Sequence, residues 1–389
     1  MVLRDTLLQT GEEALARGDT DSAATHFDRA AMMLHSADTE MALVRTYMQS
    51  GDYRRALAFC AHTAGGHGDA PAAAALYAWL LRAGGQDAVA RRVLAGAQSS
   101  APGHAVLAAT AQALGTARRN AGGTPAFDRT SASPATGVML ELPHRMAPLA
   151  VPAPGQAAPP TQARIVSSGV ALSPTLVLAP ASTHPRANRW WVRDGLGRTR
   201  EATIEPGPDD LRNLGLMQLR LLAPLGLAST DGSDRTHSEA AVALSSRDPY
   251  AGSPGYAIDY LIDTADGATA EPGWPVLHPG FFGGPQGSGG WRRLGIDLPD
   301  GPHGGPVFDA AGRLAGIALP DGPGQATMIP ASLLRSIWPH ATTPAEPAST
   351  PERGRSAAPR RAAPMPADEV FERGLRVSVQ ILTASLDNP

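Results

Sequence analysis

The chain contains no lysine: all 33 of its basic residues are arginine. Together with 42 glycines, 36 prolines and abundant alanine, this bias reads as the codon usage of a GC-rich genome and carries no functional signal. With 36 acidic residues the net charge is -3, and no dense basic cluster offsets it. Binding to nucleic acid or to an acidic membrane is therefore not expected. A single cysteine, Cys60, excludes an intrachain disulfide, and its place in a helical stretch predicts a packed thiol rather than a reactive one. Long apolar runs are missing as well. No stretch of 18 apolar residues occurs, and the N-terminal MVLRDTLLQTGEEALARG lacks an apolar core and carries acids early. Neither a membrane span nor a signal peptide is expected, and the predicted location is the cytoplasm. No cofactor is expected either. What 389 residues do allow is two domains of ordinary size, each with its own core.

The first of these is written as a repeat. Gly18-Asp19 with Ala23 recurs as Gly51-Asp52 with Ala56 and again as Gly85 with Ala90, at spacings of 33 and 34 residues. Glycine at a turn and small residues where paired helices touch, at that period, resemble the tetratricopeptide (TPR) repeat. Gly11, Phe27, Ala30, Tyr47, Leu94, Ala97 and Pro102 fall at matching places, and 103–118 reads as one more amphipathic helix covering the open end. The resemblance implies an α-solenoid over 1–118 whose groove holds a peptide or partner helix. Counting along each first helix, the groove residues are Leu8, Glu12 and Leu15, then Met41, Arg45 and Met48, then Ala75, Trp79 and Arg82. Of these Glu12, Arg45, Met48, Trp79 and Arg82 are the candidate binding residues. Two readings stay open: a spacer or oligomerisation surface instead of a peptide groove, and a core role for Trp79.

Residues 119–134 are small, polar and aperiodic, as in an interdomain linker, and from about 136 the helical pattern stops. GVMLEL reads as a first strand, and 164–182 as two strands around a turn. Short apolar runs follow at 189–193, 214–222, 240–245, 255–262, 305–308, 314–319 and 326–330. Many short strands at this density predict an all-β barrel or sandwich.

Three stretches within 135–340 resemble the trypsin-like (chymotrypsin-fold) serine peptidases, in particular the bacterial Deg type. SGVALSPTLVLAPAS is similar to the strand pair that ends on the catalytic histidine, whose place falls on Ser182. NLGLMQLR looks like the strand opened by the catalytic aspartate, whose place falls on Asn213. GPHGGPVFDAAGRLAGI, 301–317, resembles the nucleophile loop and its hairpin, with His303 at the serine's place. ATMIPASLLRSIW, 326–338, is similar to the family's Ile-Pro strand and closing helix. The resemblance implies a double β-barrel behind the solenoid, giving a multidomain α + all-β chain.

It also implies a lost catalytic triad. Such a triad needs a hydroxyl nucleophile, an imidazole to take its proton and a carboxylate to orient that imidazole. Ser182 is no base, Asn213 carries no charge, and His303 offers no alkoxide. The N–H groups of Gly301 and His303 remain candidates for an oxyanion-hole-like pocket, although Pro302 stands where the family has Asn or Asp. A rearranged site would have to use His184, Asp210 and Ser288. Asp210 is out of strand phase by three residues, and GPQGSGG around Ser288 runs into Trp291 rather than Pro. His237, His278, His303 and His340 are dispersed, with no His-x-Glu or Cys pairing, so no metal is expected.

Trp190 and Trp191 in one strand predict one ring in the core and the other at a surface or domain contact. The Gly/Pro-rich 272–290 reads as an irregular loop or a partly apolar binding lip. Residues 341–366 are a Pro/Ala/Arg linker, and 367–389 regain order as a short helix followed by alternating Val377, Val379 and Ile381. That alternation fits an edge strand added to another sheet, in cis or from a partner, or the opening of a further Deg-type domain; a plain terminal helix also remains open. The whole predicts a non-catalytic bacterial adaptor, a TPR scaffold fused to a pseudo-peptidase within a larger assembly. The alternative is a hydrolase with a rearranged site.

Overall fold

The repeating glycines end three helices in one way. Gly18, Gly51 and Gly85 have φ of 76°, 86° and 79°. Each glycine N–H donates to the carbonyl three residues back: Gly18 to Leu15 at 2.9 Å, Gly51 to Met48 at 3.0 Å and Gly85 to Arg82 at 3.0 Å. The next N–H reaches five residues back: Asp19 to Ala14 at 3.0 Å, Asp52 to Tyr47 at 2.8 Å and Gln86 to Leu81 at 2.8 Å. This left-handed closure satisfies the last carbonyls of a helix, and an L side chain resists it. The 33- and 34-residue repeat in sequence is thus a repeat of turn geometry.

The computed structural model describes residues 2–116, 148–181, 189–225, 242–260, 272–287, 289–298, 301–320, 326–337 and 363–384. The expected strand GVMLEL, Ser182, His184 and Ser288 lie outside the described residues. The solenoid consists of α1 (Val2–Ala16), α2 (Thr20–Met33), α3 (Ala37–Ser50), α4 (Tyr53–Gly66), α5 (Pro71–Ala83), α6 (Asp87–Ser100) and α7 (Ala105–Thr116). Ala23, Ala56 and Ala90 are fully buried where the second helix of each pair meets its neighbours. Larger side chains there would hold the helices beyond their 8–10 Å packing distance.

Among the described residues the β part forms two closed six-stranded barrels. The elements of the first are β1 (Val151–Pro152), β2 (Arg164–Ser173), β3 (Leu176–Pro180), β4 (Arg189–Asp194), β5 (Arg198–Glu205), the short α8 (Asp209–Asn213) and β6 (Leu216–Leu221). The second holds β7 (Pro254–Asp259), β8 (Val276–Gln286), β9 (Trp291–Ile296), β10 (Pro306–Asp309), β11 (Leu314–Pro320) and β12 (Ala326–Pro330), and closes in the order β10-β11-β12-β9-β8-β7. After α9 (Ala331–Ile337) come α10 (Ala367–Val377) and β13 (Ser378–Ala384).

The last strand belongs to the first barrel. β13 lies between β2 and β4, antiparallel to both, with Val379 opposite Gly169 on one side and Asp194 on the other. The ring then runs through β2, β3, β6, β5 and β4, with β1 lying parallel on β5. The sequence alternation suits an edge strand, but the structure gives an interior one: all seven residues of β13 are buried, because both edges are paired. Val379 and Ile381 face the barrel core with Val177, Val192 and Leu219. Leu382 faces outward with Trp191. Trp190 joins the inner cluster and Trp191 is fully buried on the outer side, as alternation requires.

The stretch read as a loop or lip is instead largely β8, an 11-residue strand. Its glycines allow close crossing: a Cβ on Gly283 would lie 2.7 Å from the Arg293 carbonyl oxygen. Phe282 is buried in the second barrel, while Phe281 is 57% exposed. Composition obscured the alternation that the two rings still show.

One apolar core runs through the solenoid, α10 and both barrels, with Leu196, Ile258, Trp274, Leu277 and Phe308 meeting the helices. α10 is the bracket. Its Phe371 packs edge-on against Tyr53 of α4, with ring centroids 4.6 Å apart. Gly374 lies so close to Ile258 of β7 that a Cβ there would collide with it. Glu372 accepts the Arg54 backbone N–H at 2.8 Å, capping the start of α4 from another part of the chain.

Candidate functional site between the two barrels

β7 ends on Asp259, whose carboxylate is fully buried. An unpartnered carboxylate at that depth would be driven to its neutral form. Burial does push Asp259 upward, but the charge and hydrogen bond of His303, help from Ser168, and the Tyr260 N–H outweigh it. The group titrates below its ordinary value. The Tyr260 N–H donates to Oδ1 at 2.7 Å, the Gly305 N–H donates to Oδ2 at 3.1 Å, and His303 Nδ1 lies 3.3 Å from Oδ2. The His303 side chain is only 5% exposed.

The loop carrying His303 is wedged against both barrels. The Pro302 carbonyl accepts the Ser168 N–H of β2 at 3.3 Å. Cβ atoms on Gly304 and Gly305 would collide with the carbonyl oxygens of Ser168 and Ile258, one from each barrel. Behind the loop, the Tyr260 hydroxyl donates to the Ser378 carbonyl of β13 at 2.9 Å, and the Ser378 hydroxyl donates back to Ile258 at 3.3 Å. The His303 N–H donates to the Gly301 carbonyl at 3.0 Å, so it is used within its own loop rather than presented to a cleft.

A second imidazole lies nearby. His278 of β8 is buried, and desolvation, Arg82 of α5 and His303 lower its pKa from 6.5 to about 3 against an opposing pull from Asp259. It is therefore neutral across the physiological range. Its Nε2 has no hydrogen-bond partner among the described residues. Arg82 itself pairs with Asp87 at 3.1 Å, and a Cβ on Gly85 would lie 2.6 Å from Leu277. The turn between α5 and α6 is thus seated on the second barrel, next to the buried polar cluster.

This arrangement holds a buried carboxylate against an imidazole between the two barrels. The Ser168 hydroxyl makes no hydrogen bond among the described residues, and His303 stands against Asp259; nucleophilic catalysis by a triad places the imidazole between hydroxyl and carboxylate. All three side chains are withdrawn from solvent. Asp259 was not legible in the sequence as a partner of His303. Its only signal is a lone acid at the inner end of an apolar strand, where an unpaired charge is costly.

The other expected residues are dispersed. Asn213 sits exposed at the end of α8, and Ser182 is outside the described residues. In the solenoid, Glu12 and Arg45 pair with each other across α1 and α3 at 2.8 Å. Met48 is fully buried, and Trp79 is half-buried against the common core. Gln49, next to Met48, donates to the Leu196 carbonyl and accepts the Leu149 N–H at 3.1 Å, fastening α3 to the first barrel.

The family model for the tetratricopeptide repeat matches residues 14–80. The chain carries TPR repeats. Such repeats generally mediate protein–protein interaction. Among solved structures, a serine endoprotease from Yersinia pestis is similar at 20% identity and a TM-score of 0.33, over 44% of this chain and 56% of that one. The inactive form of the Rv3671c protease is similar at 16% identity and a TM-score of 0.32, over 45% of this chain and 84% of that one. At those scores neither bears on chemistry; the trypsin-like architecture is read from the two closed barrels themselves. No curated protein matches the chain. No described helix is long and apolar enough to cross a membrane.

Proposed function

We propose that this chain is a non-catalytic adaptor, in which TPR repeats and a trypsin-like barrel pair that has lost its peptidase chemistry act together as a protein-binding platform. The observation that carries this reading is the state of the loop at the nucleophile's place. Its side chain is an imidazole buried on Asp259, and its N–H is used on Gly301. An oxyanion hole requires such donors to be preorganised toward a substrate oxygen. The proposed ligand is a peptide or protein segment meeting the solenoid through its accessible residues, among them Glu12, Arg45 and Trp79, within a larger assembly in the bacterial cytoplasm. Fractionation against compartment markers tests the location.

A serine-directed phosphonate probe tests the chemistry. The expected result is no labelling of the full chain under conditions that label an active trypsin-like peptidase. Stoichiometric labelling of Ser288, abolished by Ser288→Ala, would establish the hydrolase reading instead. Cross-linking of the full chain in its native lysate, with partner peptides mapped to the Glu12–Arg45–Trp79 face, is the positive counterpart. Cross-links confined to other surfaces count against the assigned face.

A further inference from the structure

The solenoid brings together four side chains that its repeat pattern does not explain. His35 precedes α3, Glu40 lies in the first turn of α3, His62 is in the last turns of α4, and His67 follows α4 directly. One ligand atom each from His35, Glu40 and His67 lie within 4.8 Å of one another. His35 Nε2 is 2.5 Å from Glu40 Oε1, His67 Nε2 is 3.5 Å from Oε2, and His62 Nε2 is 3.8 Å from Oε1. The His35 ring lies 5.0 Å from that of His67 and 6.1 Å from that of His62.

The carboxylate is the telling group. Glu40 is 3% exposed, yet its Oε2 has no hydrogen-bond partner among the described residues, and neither does the His67 Nε2 that faces it. Buried polar atoms normally find partners, and an orphaned carboxylate oxygen beside an orphaned imidazole nitrogen calls for a cation. Among the described residues its ion-pair partners are three histidines and no arginine. Imidazoles and a carboxylate suit a borderline divalent ion of tetrahedral habit, whose ligands at about 2.0–2.2 Å require donors roughly 3.3–3.6 Å apart. His67 and His62 lie near that spacing from the carboxylate, at 3.5 and 3.8 Å; closing the site needs His35, at 2.5 Å, to shift, and His62, 60% exposed on its side chain, to turn in as the fourth ligand.

We propose that His35, Glu40, His62 and His67 form a structural Zn2+ site that staples the α2–α3 connection to the end of α4. It has no open coordination position once His62 closes, so the ion would stiffen the solenoid rather than activate water. The sequence carries a faint signal for it: two pairs with the same spacing, His35 with Glu40 and His62 with His67, at facing ends of consecutive repeat helices.

The test uses the full chain stripped with a chelator and titrated with Zn2+ against a chromophoric competitor. One equivalent should bind in wild type, with a rise in Tm. His35→Ala and His62→Ala, both at exposed positions, should each lose the high-affinity equivalent and the Zn2+-dependent rise in Tm, measured against that variant's own metal-free Tm. Co2+ should give the intense visible absorption of a tetrahedral site without a thiolate charge-transfer band, which excludes Cys60. Absence of a high-affinity equivalent in wild type overturns the proposal. So does an equivalent that survives in the His35→Ala/His67→Ala double variant.

Discussion

The two barrels reach closure by different routes. In the second, every paired strand lies between Pro254 and Pro330, and its longest reach pairs Asp309 with Gly255. In the first, the ring stays open until the last strand returns, pairing Ser378 with Val170 and Val379 with Asp194. Such closure costs loop entropy before any contact offsets it, and it makes one barrel depend on the far end of the chain. The helix that delivers this strand also holds the solenoid. Closure of the first barrel therefore depends on residues 378–384, and α10 adds to the solenoid–barrel contacts made at Gln49 and Gly85.

Removing 367–389 is the harshest way to break the comparison. The first barrel should lose protease resistance and the solenoid should detach, while the second barrel's 254–330 fragment survives limited proteolysis. Equal loss of both barrels would show that they fold as one unit. Next in size is the link between them. Asp259→Ala or His303→Ala leaves one buried charge without its partner and should cost about 3–5 kcal/mol by denaturant unfolding. His303→Ser should be destabilised in the same sense and gain no peptidase activity. Phe371→Ala removes the ring packed on Tyr53 and should cost a similar ~3–5 kcal/mol, together with easier cleavage between solenoid and barrels.

Acid should weaken the same junction, in two stages. Between pH 6.5 and about 3 the unfolded chain protonates His278 while the folded chain does not, so stability falls as pH falls through that window. Asp259, whose folded pKa is lowered, contributes fully above its ordinary value near 3.8 and loses that contribution below it. Unfolding of His278→Gln should show a flatter slope across the first window. The smallest effect belongs to the solenoid surface: Glu12→Gln breaks a part-exposed ion pair with Arg45 and should change stability by about 0.2–1 kcal/mol.

The sequence made some of this plain and hid the rest for physical reasons. The glycine turns of the solenoid are local, requiring only a left-handed residue at a fixed period, and could be counted. The hairpin at 306–319 is local too. β8 was hidden because Gly and Pro at close strand crossings look like loop chemistry, and β5 because RTREATIE is polar. The place of β13 was beyond reach, since alternation tells which face is apolar but not which edges are paired. At the candidate site, His303 stood out through the Gly/Pro loop around it. Its partner Asp259 did not, because nothing in a chain 44 residues apart says that two side chains will share one buried space.

The most direct test of the central claim, a peptidase shape without peptidase chemistry, is digestion of unfolded casein by the purified full chain. The predicted result is no cleavage beyond that of His303→Ala. Turnover by wild type that disappears on changing one hydroxyl, such as Ser288→Ala, would contradict it.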